Sequence, residues 1–423
     1  MGVAAHPGGA LSYGLWRHLR WLLLSCVCVT VLVTIAARRR SHRSRYVVIV
    51  VFDGLRPDAI TPTDMPTVSR LALEGVQFTS THAAVPTVTR VNGAALATGT
   101  YPGTNGLVDN TVYEPSLDSV APVSTGDFRV LLRIDSLRRG RLLERATLAE
   151  RLAAHGTSYA AVSTGSSGDA LLVNLRAPEG EGVLVDSGCG DGRVAYPRWL
   201  SDSIVRQLGR PPVESDATTL IPLLDWTGRA LREVVLPAVR PQVLLYWLTE
   251  PDQSQHLFGV GSPRTRMALR DADRNLALLL DALGVRRDST DVIILSDHGF
   301  AHATQQVNVT QALRAEQLMS GAGSDDLVLT DDGESVQFTV RGHDPRRIAA
   351  IARWLQRQPW TDLVLTRGGS GRVEGDVAGT VSLDVVHLQH PTRGPDLMVT
   401  FRWSADTSAY GVPGTEAISS QGP

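Results

Sequence analysis

Three apolar runs, each delivering an acid at its C-terminal end, constrain this chain more than any other feature. Tyr46-Val47-Val48-Ile49-Val50-Val51-Phe52 is a continuous β-branched and aromatic run that stops on Asp53-Gly54. Val243 to Leu248 ends near Asp252, and Asp291 to Ser296 ends on Asp297-His298-Gly299. Runs of this kind, without polar alternation, are the signature of strands buried on both faces, as in parallel sheets. In an open α/β sheet, ligands bind at the carboxyl ends of the strands, so three acids delivered there point to one site.

Between the strands lie helical stretches at Leu142 to Ala154, Ala217 to Arg232 and Met267 to Leu283. Strands alternating with helices predict an α/β fold with a central, mostly parallel sheet flanked by helices. Leu327 to Leu329 and Val336 to Val340 read as a hairpin across Asp331-Asp332-Gly333. A helix follows, with Asp344 as N-cap and Pro345 at its first position, and then a strand near Leu363 to Leu365. We read residues 300–395 as a small α+β insertion within a domain running from 46 to 423.

Residues 1–45 have a different character. Trp21 to Ala37 is an uncharged, mainly apolar run between arginines, at the short limit for spanning about 30 Å of hydrocarbon. It predicts an N-terminal hydrophobic helix that contacts the membrane, either as an anchor or as the core of a signal peptide. The heavier arginine cluster after the run favours a cytoplasmic domain by the positive-inside bias. Formal net charge is only -2, so no basic nucleic-acid-binding surface is expected. Only Cys189 lies outside the apolar segment, which excludes an internal disulfide framework in the soluble part.

Asp53, the pair Asp252/His256 and the pair Asp297/His298 are the residue types that bind a divalent cation. Asp252 and His256 stand at i and i+4, which puts both side chains on one face if they share a helical turn. The segment Pro86-Thr87-Val88-Thr89-Arg90-Val91-Asn92 leads into a glycine-rich stretch that ends Gly106-Leu107-Val108-Asp109-Asn110. Asn92, three residues past Thr89, would share its helical face and could donate to a phosphate oxygen. Arg90 reads either as a substrate contact or as a solvated arginine.

From Tyr46 onward these motifs resemble the nucleotide pyrophosphatase/type I phosphodiesterase branch of the alkaline phosphatase superfamily. Pro251-Asp252 with His256, and Asp297-His298-Gly299, follow the same family order. The resemblance implies an alkaline phosphatase-like fold and two divalent metal ions, zinc by family habit. Asp53, Thr89, Asp297 and His298 match one metal site, and Asp252 and His256 match two of the three ligands to a second. Thr89 matches the nucleophile, so the implied activity is hydrolysis of phosphodiester or pyrophosphate bonds in nucleotide-type substrates through a phospho-threonine intermediate. Phosphonate or phosphomonoester hydrolysis on the same scaffold is the alternative. The resemblance also implies an exported or membrane-anchored protein with its catalytic domain outside the cytoplasm.

The chain departs from the pattern in two places. Gln255 stands where the family usually has glycine, which matters only if the backbone there needs a positive φ. The family's third ligand to the second metal is a histidine in a His-Gly segment, set after a tract resembling Ala409 to Thr415. This chain ends at Pro423 before reaching it. The expectation is therefore a truncated domain that holds its second metal weakly, or a catalytically impaired remnant. His302, His343, His387 and His390 are the remaining histidines considered as substitutes, and none stands in the family's motif context.

Overall fold

A computed structural model describes residues 45–186, 192–212, 220–320 and 326–419. The run Trp21 to Ala37 and Cys189 lie outside the described residues. Among those described, no helix is long and apolar enough to cross a membrane.

The strands in chain order are β1 (Tyr46–Phe52), β2 (Thr111–Val112), β3 (Val123–Ser124), β4 (Tyr159–Ser163), β5 (Val183–Asp186), β6 (Ala195–Tyr196), β7 (Val243–Leu248) and β8 (Thr290–Leu295). There follow β9 (His302–Val307), β10 (Leu327–Asp331), β11 (Ser335–Val340), β12 (Thr361–Thr366), β13 (Val381–Ser382), β14 (Leu397–Phe401), β15 (Trp403–Thr407) and β16 (Pro413–Ser419). The main sheet has the order β6-β5-β4-β7-β1-β8. Every pairing in it is parallel except β5 with β6. This is the central, mostly parallel sheet that the alternation of strands and helices predicts.

Register puts the acids together. Phe52 pairs with Leu248, and Val51 pairs with Leu295, so the segments carrying Asp53, Asp252 and Asp297 leave the sheet at the same edge. Apolar side chains cover both faces of the sheet. Val48, Val50 and Phe52 pack into one core with the helices at Ile221–Arg229 and Pro263–Ala282, while Ile49 and Val51 pack into another with Leu131, Ile134 and Leu171. That two-sided burial is what the uninterrupted runs of β1 and β7 require. β8 differs, because it carries a similar run at the sheet edge, where Ile293 is 48% exposed. Its apolar composition made it look as buried as the other two.

Helix boundaries are set by caps that periodicity does not see. The stretch from Leu142 turns helical only at Leu148, where Thr147 and Glu150 form a capping box. Of the stretch at 217–232, residues 220 onward are described, with an α-helix over Ile221–Arg229 that widens into a π-helix over Ala230–Val235.

A second sheet, β10-β11-β14-β12-β13, carries the Pro345–Leu355 helix, whose Asp344 side chain accepts from Arg346 N as its cap. β14 hydrogen-bonds to both β11 and β12, so this unit extends past residue 395. A third sheet, β15-β16-β9, completes the described chain.

Candidate metal and phosphoryl-transfer site

Gly54, two residues past the end of β1, takes a left-handed backbone at φ +65°. A Cβ there would lie 2.8 Å from Asp252 Oδ1, so only glycine allows the approach. Gly54 N donates to Asp297 Oδ1 at 3.1 Å, and Asp252 N donates to the Asp53 carbonyl at 3.1 Å. The segments that leave the three strands are thus tied together by two backbone N–H groups, one donating to a carbonyl and one to the Asp297 carboxylate.

Asp53 is 2% exposed and Asp297 4% exposed. Trp247 Nε1, on β7, donates to Asp53 Oδ2 at 2.9 Å, whereas Asp53 Oδ1 is buried without a partner. Asp297 Oδ1 takes both Gly54 N and His298 N, and its Oδ2 has no partner. Asp252 Oδ1 is likewise buried and unpaired. One oxygen of Asp53 and of Asp297 is therefore held in place while the other faces inward unsatisfied, an arrangement that costs free energy unless a cation meets it.

His298 closes the first group. Its Nδ1 lies 2.7 Å from the Gly299 carbonyl, which can only accept, so Nδ1 carries a proton and Nε2 turns to the acids. Nε2 lies 3.4 Å from Asp53 Oδ1, 3.5 Å from Asp297 Oδ2 and 3.2 Å from Thr89 Oγ1. Asp53, Asp297 and His298 each offer an atom within 4.8 Å of the others, the spacing of a shared metal ion. Electrostatics agree. Burial, then Asp297 and Asp252, push the Asp53 carboxyl well above its ordinary pKa, and burial also raises Asp297. Burial opposes a charge on His298, but Asp297 and Asp252 outweigh it and lift its pKa to about 9. The acids draw a proton onto the only base among them, as expected of a site built for positive charge.

Asp252 and His256 lie on the Asp252–Phe258 helix, with His256 Nε2 3.5 Å from Asp252 Oδ2. The i, i+4 spacing does place them on one face. Gln255 sits inside that helix with ordinary helical backbone, and its Nε2 donates to the Gly54 carbonyl at 2.9 Å. No positive φ is needed there, so the absence of glycine costs nothing. The other histidines are engaged elsewhere: His343 with Asp396 at 2.7 Å, His390 with Glu144 at 3.4 Å, and His387 stacked on Tyr101. His302 opens β9, opposite Thr415.

Thr89 is the first residue of a helix over Thr89–Thr98, whose N-cap, Val88, offers no side-chain bond. Asn92 does not point at this site. Both of its amide hydrogens go to carbonyls, of Ala84 at 3.2 Å and Val88 at 3.1 Å, and its Oδ1 accepts from Ala84 N at 2.7 Å. It braces the loop that presents Thr89, so the phosphate-donor role expected of it is not open to it. Arg90 is neither solvated nor free for substrate, because Asp169 binds it at 3.1 Å in a largely buried pair.

Three residues that sequence reasoning passed over stand close by. Asn110 Oδ1 accepts from Arg90 N at 3.0 Å, beside Thr89, and its Nδ2 makes no hydrogen bond among the described residues. The Val-Asp-Asn ending of the glycine-rich turn was the available signal for it. Trp247 gave none, being one more apolar residue in a strand. Glu334, at the tip of the β10–β11 hairpin, accepts from Thr87 Oγ1 at 3.0 Å. Its carboxyl is raised by burial, against the pull of His298 and His256.

A mostly parallel sheet with acids and a helix N-terminus gathered at its carboxyl edge is the α/β arrangement of an enzyme site, and the family and structural neighbours below give it the alkaline phosphatase-like fold. The chain belongs to the type I phosphodiesterase/nucleotide pyrophosphatase family, whose model matches residues 47–411. Venom phosphodiesterase 2 of Crotalus adamanteus is 25% identical over 257 residues, covering 60% of this chain and 26% of that protein. Ectonucleotide pyrophosphatase/phosphodiesterase family member 3 of Mus musculus is 24% identical over 258 residues, covering 60% of this chain and 24% of that protein. This chain thus spans about a quarter of the length of these relatives. Among solved structures, the phosphonoacetate hydrolase of Sinorhizobium meliloti is similar with a TM-score of 0.62 at 20% identity, covering 89% of this chain and 83% of that one. Murine ectonucleotide pyrophosphatase/phosphodiesterase 5, solved with AMP, is similar with a TM-score of 0.53 at 15% identity, covering 84% and 78%. At these identities the structural likeness speaks for the fold.

Proposed function

We propose that this chain hydrolyses phosphodiester or pyrophosphate bonds of nucleotide-type substrates, with Thr89 as the nucleophile. The observation that carries the reading is the position of Thr89 Oγ1, 3.2 Å from His298 Nε2 at a helix N-terminus and against carboxylates whose inward oxygens have no partner. Family membership supports the substrate class.

Asp53, Asp297 and His298, with Thr89, would hold one divalent cation, and Asp252 with His256 would hold a second, zinc being the ion their N and O donors suit. A bound dication lowers the pKa of a nearby alcohol and neutralises phosphoryl oxygens. Thr89 Oγ1 gives up its proton to solvent and forms the bond to phosphorus while the bond to the leaving oxygen breaks on the opposite side; the leaving oxygen departs with the bonding pair and takes a proton from water, and a phospho-threonine remains. Water cleaves that ester, returning the Thr89 hydroxyl and releasing the phosphate product. Asn110 Nδ2 donates to a non-bridging oxygen, and the N-terminus of the Thr89–Thr98 helix favours the same negative charge. The reading places the domain outside the cytoplasm, in line with the venom enzymes among its relatives, and protease accessibility on intact cells tests that placement.

The deciding experiment compares kcat/KM for bis-p-nitrophenyl phosphate, p-nitrophenyl phosphate and phosphonoacetate in the presence of zinc. Preference for the diester is the expected result. Preference for the monoester or the phosphonate overturns the assignment.

A further inference from the structure

Asn110 lies on neither helix nor strand. It ends a glycine-rich turn, and a turn has no regular hydrogen-bond ladder to keep a side-chain amide still. Thr125, just past β3, holds the Asn110 carbonyl through its N at 3.0 Å and its Oγ1 at 2.6 Å, and the second sheet restrains the other side of the turn. Along β11, Val336, Phe338 and Val340 face that sheet's own core, so Gln337, of opposite parity, faces the turn. Gln337 is 2% exposed, and its Nε2 donates to the Val108 carbonyl at 2.7 Å and to Asp109 Oδ2 at 2.8 Å. Asp109 is 0% exposed, and its Oδ1 accepts from Asn110 N at 2.6 Å. Asn110 Oδ1 then accepts from Arg90 N, one residue past Thr89. An unbroken polar chain runs from the face of the second sheet that meets the turn to the helix N-terminus that carries the nucleophile.

We propose that Gln337 and Asp109 are positioning residues for phosphoryl transfer, through which the second sheet holds the Asn110 amide where its Nδ2 meets the phosphoryl group. The inference rests on the reading of Asn110 as a phosphate donor. A buried amide that spends both hydrogens on one turn, and a buried carboxylate that spends itself on the next residue's N–H, are costly to keep unless the turn must be held in one geometry. Neither residue touches substrate, so both act only through Asn110.

That dependence gives the test, a double-mutant cycle on kcat/KM for the diester with zinc content and thermal melting followed in parallel. Asn110→Ala should lower kcat/KM by about 10²- to 10³-fold, the usual loss for one oxyanion donor. Gln337→Leu should lower it by at least about tenfold with zinc content unchanged, and the double variant should be no worse than Asn110→Ala alone. Gln337→Met repeats the measurement if the leucine variant melts early. A parental kcat/KM in the Gln337 variants, or a loss that adds in full to that of Asn110→Ala, overturns the proposal. A parental Asn110→Ala overturns the donor reading beneath it. If the parent turns over no phosphate ester, the proposed function fails, and the same cycle run on the affinity for inorganic phosphate decides whether Gln337 acts through Asn110.

Discussion

Trp247 donates its indole N–H to Asp53 Oδ2 at 2.9 Å, joining the middle of the sheet to the first candidate metal ligand. The bond fixes one oxygen of the carboxylate and leaves Oδ1 facing Asp297 and His298. Trp247→Phe keeps most of the apolar surface and removes only the donor. Partners that orient a ligand are commonly worth about 10- to 100-fold in metal affinity. We therefore expect zinc affinity to fall by about that factor in chelator-competition titrations, with the fold retained.

The nucleophile assignment makes a sharper demand. Thr89→Ala removes the side-chain oxygen that the helix N-terminus presents to His298. Turnover of the diester should fall by at least about a thousandfold, as when a covalent nucleophile is deleted elsewhere. Zinc content should stay near the parental value, since Asp53, Asp297 and His298 remain. Thr89→Ser, which keeps the hydroxyl, should recover a measurable part of the rate. Stopped-assay kinetics on the two variants check both expectations, and an active alanine variant would remove Thr89 from the mechanism.

Asp297 separates metal binding from backbone bracing. Asn in its place keeps an oxygen for Gly54 N and His298 N but removes the charge. Zinc at 100 times its dissociation constant should stabilise the parent by about 2.7 kcal/mol, seen as a rise in melting temperature. In Asp297→Asn that rise should largely vanish while melting in EDTA changes little. An undiminished zinc response would place the ion elsewhere.

Which parts of the fold and site are legible in the sequence depends on which forces leave a local mark on it. Strands buried on both faces must be continuously apolar, so β1 and β7 announce themselves, and the acids at their ends follow. The i, i+4 spacing of Asp252 and His256 survives because helical geometry alone decides it. Asn92 misleads because helical phase shows which face a side chain lies on but not what it bonds, and here the Ala84–Val88 backbone claims its amide. Asp273, in a helix rich in arginine, carries no local mark of its burial or of the bonds it accepts from Thr67 N and Val68 N. Trp247, Gln337 and Glu334 act across sequence separations of roughly two hundred residues, which no local pattern reports.

Glu416, on β16, tests the electrostatic reading by pH. Burial, reinforced by Glu334, raises its carboxyl pKa to about 8 from the ordinary 4.5. A raised carboxyl pKa means that the folded chain binds a proton which the unfolded chain has already released. Stability linked to this group is therefore complete below about pH 4.5 and is lost as pH rises toward 8. Glu416→Gln keeps the shape and cannot ionise, so it should match the parent in melting temperature near pH 4.5 and exceed it increasingly up to about pH 9. The comparison belongs in EDTA, where no dication can favour the ionised form of Glu334 or its neighbour. Parallel melting curves across the whole range would mean that Glu416 is better solvated than its surroundings indicate.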